Sequence, residues 1–250
     1  MNPIILVTGA TSGFGKSIAI LYANRNFDVI ITGRRKDRLE SLRIEIESYG
    51  VRCISLCFDV RFRDEVYNAI ETLPDDWKSI QILINNAGLA LGKDPIAKSK
   101  EEDWEQMLDT NVKGLLYMSK AVSGYIPNGG TIINIGSIAG KEVYPGGNVY
   151  CASKHAVDAL TKALRMELAS KGVRVSQIAP GAAETEFSLV RFKGDDQKAS
   201  EVYQGFDALK AEDIAETAWF ITSRPSHVCL NDVVIMPTAQ PNTNQLFRNT

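Results

Sequence analysis

The stretch IILVTGATSGFG, residues 4–15, decides the fold. Ile4 to Val7 is an apolar run without polar alternation, which suits a strand buried on both faces of a parallel sheet. Gly9, Gly13 and Gly15 then punctuate a turn that leads directly into a helical stretch reaching Arg25. Glycines let the backbone bend sharply and approach a pyrophosphate, while a helix N-terminus behind them offers unpaired N–H groups and a favourable dipole. The spacing is G-x-x-x-G-x-G rather than G-x-G-x-x-G, and a tight strand–helix connection alone would also use glycine. Position after the first strand of a βαβ unit favours the nucleotide reading. It places Gly9, Thr11, Ser12, Gly13, Phe14 and Gly15 against the cofactor.

Outward from this turn, short β-branched runs alternate with helical periodicity. Strands are expected at Asp28–Thr32, Val51–Phe58, Ile80–Ile84, Thr131–Ile135, Val173–Ile178 and Val233–Met236. Between them lie helices from Lys36 to about Tyr49 and from Asp64 to Leu73. Another opens at Ser99 on a Ser99–Glu102 capping box, and a long one runs from about Val149 to Ser170 and stops at Gly172. Strands that are each followed by a helix, with right-handed crossovers, give an α/β, doubly wound parallel sheet. No linker or repeat interrupts it, so all 250 residues form one domain. The exception is a long excursion at about 182–209, expected to cover the substrate.

Composition narrows the partners. Lys plus Arg is 28 against 30 acids, a formal charge of −2, so nothing attracts the chain globally to nucleic acid or an anionic membrane. No apolar run is long enough to span a bilayer, and the N-terminus lacks a basic, apolar leader; a cytoplasmic protein is expected. The 4 cysteines and 2 histidines show neither disulfide-scaffold nor metal-ligand spacing, so no metal is expected and the cysteines read as small buried hydrophobes.

At the end of the second strand an NAD-binding chain often carries an acid for the ribose 2′-hydroxyl. Thr32-Gly33-Arg34-Arg35 stands there instead. A glycine leaves room and two guanidiniums suit a 2′-phosphate, so NADP(H) is predicted, with solvated surface cations as the plainer alternative. Tyr150 and Lys154 share one face of the long helix, a turn apart. A phenol with pKa near 10 is a poor base. A neighbouring ammonium, helped by an oxidised nicotinamide, would lower that pKa and make Tyr150 a general acid–base. Ser137, at the end of the fifth strand, can orient the reacting oxygen.

With these residues in place the chain resembles the short-chain dehydrogenase/reductases from about Ile4 to Gln240. The matching motifs are TGATSGFG at Thr8–Gly15, NNAG at Asn85–Gly88, Asn111 in DTNVKG, Ser137, YCASK at Tyr150–Lys154, and Pro180-Gly181. The resemblance implies a Rossmann-like seven-stranded sheet and a tetrad of Asn111, Ser137, Tyr150 and Lys154, with Asn111 holding a water that relays protons from Lys154. A local structural hydrogen bond is the alternative role for Asn111. It further implies that Asp59 and Val60 flank the adenine and that Asn86, Ala87 and Gly88 lie along the cofactor. Pro180 to Thr185, including Gly181, Ala183 and Thr185, is expected to close over the nicotinamide, and the protein to be a homotetramer.

RFRDEV after Val60, NNAGLALG, TEFSLVRFKGD at Thr185–Asp195 and the ending IMPTAQ narrow the resemblance to NADP-dependent 3-hydroxy acid dehydrogenases. Ala183 departs from the larger aliphatic residue expected against the nicotinamide. The implied reaction interconverts a 3-hydroxy acid (serine, L-allo-threonine or 3-hydroxypropionate) with its 3-oxo acid or semialdehyde. Its carboxylate needs a cation, and Arg191 and Lys193 lie in the covering segment, although RFKGD also reads as a structural or subunit-contact motif. Tyr144 could line the pocket, and His155, rotated about 100° from Lys154, reads as structural. The competing readings are a reductase of ketones, sugars or 3-oxoacyl thioesters, and a non-catalytic NADP(H) sensor.

Overall fold

The computed structural model describes residues 2–249. Its seven strands are β1 (Ile4–Val7), β2 (Asp28–Gly33), β3 (Cys53–Cys57), β4 (Ile80–Asn85), β5 (Thr131–Ile135), β6 (Arg174–Pro180) and β7 (Asp232–Ile235). They form one parallel sheet in the order β3-β2-β1-β4-β5-β6-β7. The order reverses between β1 and β4, where a doubly wound sheet opens its ligand crevice beyond the strand C-termini.

The wholly apolar strands feed two cores. Ile5 and Val7 of β1 join Val29 and Ile31 of β2 on one face, under helices α1 (Gly13–Ala23), α2 (Lys36–Glu47) and α9 (Ala211–Thr222). Ile4, Leu6 and Ile30 point to the other face, which α3 (Arg63–Glu71), α5 (Leu115–Val122) and α6 (Asn148–Leu168) cover. A period of two thus sends successive side chains to opposite cores.

One polar layer crosses the α6 face of this apolar sheet. Asn85, Asn134, Gln177 and Asp232 stand in register on β4, β5, β6 and β7. Asn85 donates to Ser119 of α5 at 3.0 Å and to Asn134 at 2.9 Å. Asn134 donates to Thr161 at 2.9 Å, and Gln177 Nε2 lies 3.3 Å from both Asp158 and Asp232. Lys141 closes the row by pairing with Asp158 and Asp232. Asp158 and Thr161 follow Lys154 by one and two turns on the same face of α6. The layer therefore seats the candidate catalytic helix on β5 and β6, with Lys141 joining it to β7.

Several local expectations change. The capping box at Ser99 does not form: Lys100 caps α4 (Glu101–Leu108), because the Ser99 hydroxyl donates backward to the Asp94 and Pro95 carbonyls of the preceding turn. The third strand is shorter at both ends than Val51–Phe58. The 182–209 excursion is ordered into α7 (Phe187–Arg191) and α8 (Asp196–Glu201), with an Ala183–Leu209 bridge closing its base. Cys53 and Cys151 are buried as expected, but Cys57 ends the edge strand exposed and Cys229 is half-buried. Gly172 does stop α6 and its terminal turn, with φ of 65°.

Replacing Asn134 by leucine takes from the Asn85 amide one of its two acceptors and from the Thr161 hydroxyl the donor it accepts from, both inside the layer. We expect a loss of about 2–3 kcal/mol in urea unfolding at constant m-value; a change below about 0.5 kcal/mol contradicts the clamp.

Candidate active site

The site lies beyond the C-terminal ends of β1, β2, β4, β5 and β6. The turn after β1 carries Gly9 with φ of 65° and Gly13 with φ of 52°. Gly15 is required by proximity: a Cβ there would stand 2.5 Å from Asn86 Nδ2 and 2.6 Å from the Gly9 carbonyl. Asn86 holds this turn by donating to the carbonyls of Thr8 at 2.8 Å and Gly9 at 3.1 Å, while Thr8 accepts from the N–H groups of Asn86 and Ala87. Ser12 flanks α1 without a capping side-chain bond, and no acid stands in its first turn. The leading N–H groups are left for an anion.

The cleft beyond these residues has a volume of ≈ 620 Å³ and takes in the phosphate turn, Arg34, Arg35, Asp59, Val60, Asn86–Gly88, Ser137, Tyr150, Lys154 and Pro180–Gly181. This row of groups fits a dinucleotide phosphate. A Cβ on Gly33 would meet Thr11 Cγ2 at 2.7 Å, so the glycine keeps the second turn open. Arg34 is half exposed, with Asp59 at 3.7 Å. Arg35 donates to the hydroxyls of Thr11 and Ser12 and, with Arg38, pairs with Glu186. Burial raises the Glu186 carboxyl, but the two arginines outweigh it and hold it below its usual range. Asp59 behaves alike: burial opposes ionisation and Arg61 overcomes it.

At the other end, α6 presents Tyr150 and Lys154, both buried. Tyr150 packs with Leu89, Ala90, Met107 and Ala139, and its ring centroid lies 5.7 Å from that of Phe187. This apolar wrap pushes the phenol well above its ordinary pKa; Tyr144 adds to the rise, while Ser137 and Arg191 pull it down. Lys154 donates to the Ile135 carbonyl at 2.9 Å, and burial lowers its ammonium to about 8. In the protein alone, desolvation of the ring dominates the Tyr150 pKa. Ser137 accepts from Ala139 N–H at 3.1 Å and lies 3.4 Å from the Pro180 carbonyl.

Asn111 sits in a π-helical stretch, Asp109–Gly114, between α4 and α5. Its amide pairs reciprocally with the Leu89 backbone, 2.8 Å in each direction, and donates to Ser153 at 2.9 Å. These bonds tie the backbone just after NNAG to α6. Gly88 lies between: a Cβ there would be 3.2 Å from Asn111 Oδ1 and 3.5 Å from Lys154 Nζ.

Arg191 reaches the cleft from α7. Its Nε donates to the Gly92 carbonyl at 3.1 Å, its guanidinium carbon lies 5.4 Å from the Tyr144 centroid and 5.7 Å from that of Tyr150, and its Nη2 is buried without a partner. Tyr144 lines the cleft, as does Ala183, while Lys193 turns away to pair with Asp103. His155 bonds the Cys151 carbonyl at 2.9 Å, in keeping with a structural role.

Residues 3–195 match the family described as short chain dehydrogenase. The chain belongs to that family. It is 48% identical over 240 residues to an NADP-dependent 3-hydroxy acid dehydrogenase of Salmonella typhi, covering 95% of this chain and 96% of the relative. It is 43% identical over 243 residues to sulfoacetaldehyde reductase 2 of Chromohalobacter salexigens, covering 96% of each. Among solved structures, the closed form of serine dehydrogenase complexed with NADP+ superposes with a TM-score of 0.92 at 45% identity, over 99% of this chain and 100% of that one. The Rossmann-like single domain and the resemblance to 3-hydroxy acid dehydrogenases are borne out.

The sequence reading missed several residues that line the dehydrogenase's cleft. Phe187 and Ser188 belong to a helix too short for periodicity to show. Gln240 and residues 243–246 return to the cleft from beyond β7; Gln240 accepts from Ala182 N–H at 2.7 Å, and the Thr243 hydroxyl donates to the Glu142 carboxylate at 3.0 Å. Polar, aperiodic sequence carries no signal for such a return.

The depressed Lys154 pKa gives a pH test. The unfolded lysine holds its proton up to about 10.5, the folded one only to about 8, so between these values the unfolded state binds more protons and stability rises with pH. Below pH 8 the burial costs about 3 kcal/mol in the parent. Lys154→Met is therefore expected to be the more stable protein at pH 7, with the gap closing between pH 8 and 10.5; a pH-independent difference contradicts the burial effect.

Proposed function

We propose that this dehydrogenase interconverts the hydroxyl of a 3-hydroxy acid and the corresponding 3-oxo acid or semialdehyde, using NADP(H). The observation that carries this reading is the Arg191 guanidinium: it lines the cleft beside Tyr150 and keeps a buried, unpartnered Nη2. A buried N–H without a partner is costly, and a substrate carboxylate satisfies it with a charge-assisted bond. An uncharged ketone or sugar leaves that group unmatched. A sensor has no use for a buried phenol–ammonium pair beside a serine. The names of both relatives denote acid-bearing molecules, a hydroxy acid and a sulfo-aldehyde.

Gly9, Thr11, Ser12, Gly13, Phe14, Gly15, Asn86, Ala87, Gly88, Pro180, Gly181, Ala183 and Thr185 hold the cofactor, with Asp59 and Val60 at its adenine. Arg34 and Arg35 take the 2′-phosphate. When bound, NADP(H) accepts or supplies the hydride and, oxidised, brings a positive charge to the site. Tyr150 accepts the hydroxyl proton during oxidation and returns it during reduction. Ser137 donates to the reacting oxygen as its charge changes, and Lys154 stands by the phenol as the proton reservoir. Asn111 acts through the Leu89 backbone and Ser153 to hold this group together. Because the proton must leave Tyr150 for oxidation, that direction gains toward alkaline pH, whereas reduction favours neutral or acidic pH.

We infer further that residues 182–209 cover the substrate and that four copies assemble in the cytoplasm. Leu108, Leu116 and Met166 leave apolar surface on the α4, α5 and α6 side, and all four thiols are unpaired, as suits a reducing compartment. No helix among the described residues is long and apolar enough to cross a membrane.

Absorbance at 340 nm with NADP+ and serine, L-allo-threonine or 3-hydroxypropionate tests the reading directly. Arg191→Met should raise KM for these acids at least about ten-fold, with a smaller effect on kcat; an unchanged KM removes the carboxylate assignment. Arg34→Ala should lower the preference for NADP+ over NAD+ at least about ten-fold, and a preserved ratio contradicts its phosphate role.

A further inference from the structure

Lys93 belongs to no motif, yet the backbone that carries it is held on three sides. Before it, Gly92 N–H donates to the Arg191 carbonyl at 2.9 Å and the Gly92 carbonyl accepts from Arg191 Nε at 3.1 Å. After it, the Asp94 carbonyl accepts from Asn148 Nδ2 at 2.8 Å and from the Ser99 hydroxyl at 3.1 Å. Across from it, Gly146 has φ of 76°, and a Cβ there would stand 2.3 Å from the Lys93 carbonyl oxygen. The segment that anchors the Arg191 guanidinium therefore also sets the root of Lys93.

The Lys93 side chain lines the same cleft, and its ammonium lies 5.9 Å from the Tyr144 ring centroid. The Arg191 guanidinium carbon lies 5.4 Å from that centroid, so the two cations stand no more than about 11 Å apart. A four- or five-carbon dicarboxylate bridges that distance with an ordinary ion-pair contact of up to about 4 Å at each end. The acids of the cleft do not compete. Asp59 is held by Arg61, and Glu186 by Arg35 and Arg38. Lys93 forms no ion pair among the described residues. After Arg191 has taken one carboxylate, the substrate end of the cleft still carries an unmatched positive charge.

We propose that Lys93 is a second acid-recognising cation, and that the cleft takes hydroxydicarboxylates. One carboxylate lies on Arg191 and the other on Lys93. The inference rests on the reading that Arg191 binds a substrate carboxylate. Lys93 is exposed, so its contribution is that of a partly solvated pair, a few-fold in binding rather than orders of magnitude.

The test compares 3-hydroxyglutarate with its monomethyl ester, nearly isosteric but one charge poorer, at low ionic strength with NADP+. The parent should favour the diacid in kcat/KM by about five-fold, expressed in KM. In Lys93→Gln the ratio of the two kcat/KM values should fall by about the same factor, and Lys93→Arg should restore most of it. A Lys93→Gln ratio within two-fold of the parent's overturns the proposal, whether the separate values hold or fall together. So does a parent with no preference for the diacid. If the parent oxidises neither these compounds nor 3-hydroxypropionate, the 3-hydroxy acid reading falls and takes the role of Lys93 with it; if it oxidises 3-hydroxypropionate and the ratio does not respond, only Lys93 falls.

Discussion

Burial of a phenol and an ammonium on one turn of α6 is the constraint on which the site depends. In water, Tyr150 and Lys154 would be an unremarkable pair on a helix. Wrapped by Leu89, Ala90, Met107 and Ala139, the phenol keeps its proton, and the lysine is drawn close to neutrality by the same desolvation. Neither residue could be held there by an apolar contact alone. The helix is pinned below them by Asp158 and Thr161 to a row of amides on β5 and β6, and beside them by Asn111 through Ser153. A hydrogen-bonded polar layer inside an apolar core fixes register in a way hydrophobic packing does not.

Charge is distributed along the cleft in two patterns. At the adenine end, acids and arginines satisfy one another: Asp59 with Arg61, and Glu186 with Arg35 and Arg38. At the substrate end the cations outnumber the acids, and Arg191 retains a buried donor that the protein does not use. The contrast follows from what each end must do. Glu186 also ties the 182–209 segment to the turn after β2 through Arg35 and Arg38.

Much of this was legible in the chain because it rests on local pattern. Unalternating runs such as Ile4–Val7 announce strands with two covered faces, a glycine-rich turn announces close backbone approach, and residues four apart on a helix share a face. What escaped depends on partners distant in sequence. Asn85, Asn134 and Gln177 are visible as polar residues in apolar strands, but only the strand order aligns them with Asp232. Ser99 looked like a helix cap until the turn before it claimed its hydroxyl. Lys93 reads as a surface lysine until Gly92 is seen bonded to Arg191, 99 residues away. The return of residues 243–246 rests on contacts to Glu142 and Val143 that no periodicity encodes.

Burial in the protein alone holds Tyr150 as a neutral phenol, and charge brought into the cleft should release its proton. Ultraviolet titration of tyrosinate, taken as the difference between the parent and Tyr150→Phe, measures this at one residue with and without NADP+. Tyr150 should ionise above the ordinary phenol range in the free protein and at distinctly lower pH with NADP+ bound. A Tyr150 that titrates as an ordinary tyrosine in the free protein, or whose midpoint NADP+ leaves in place, contradicts it.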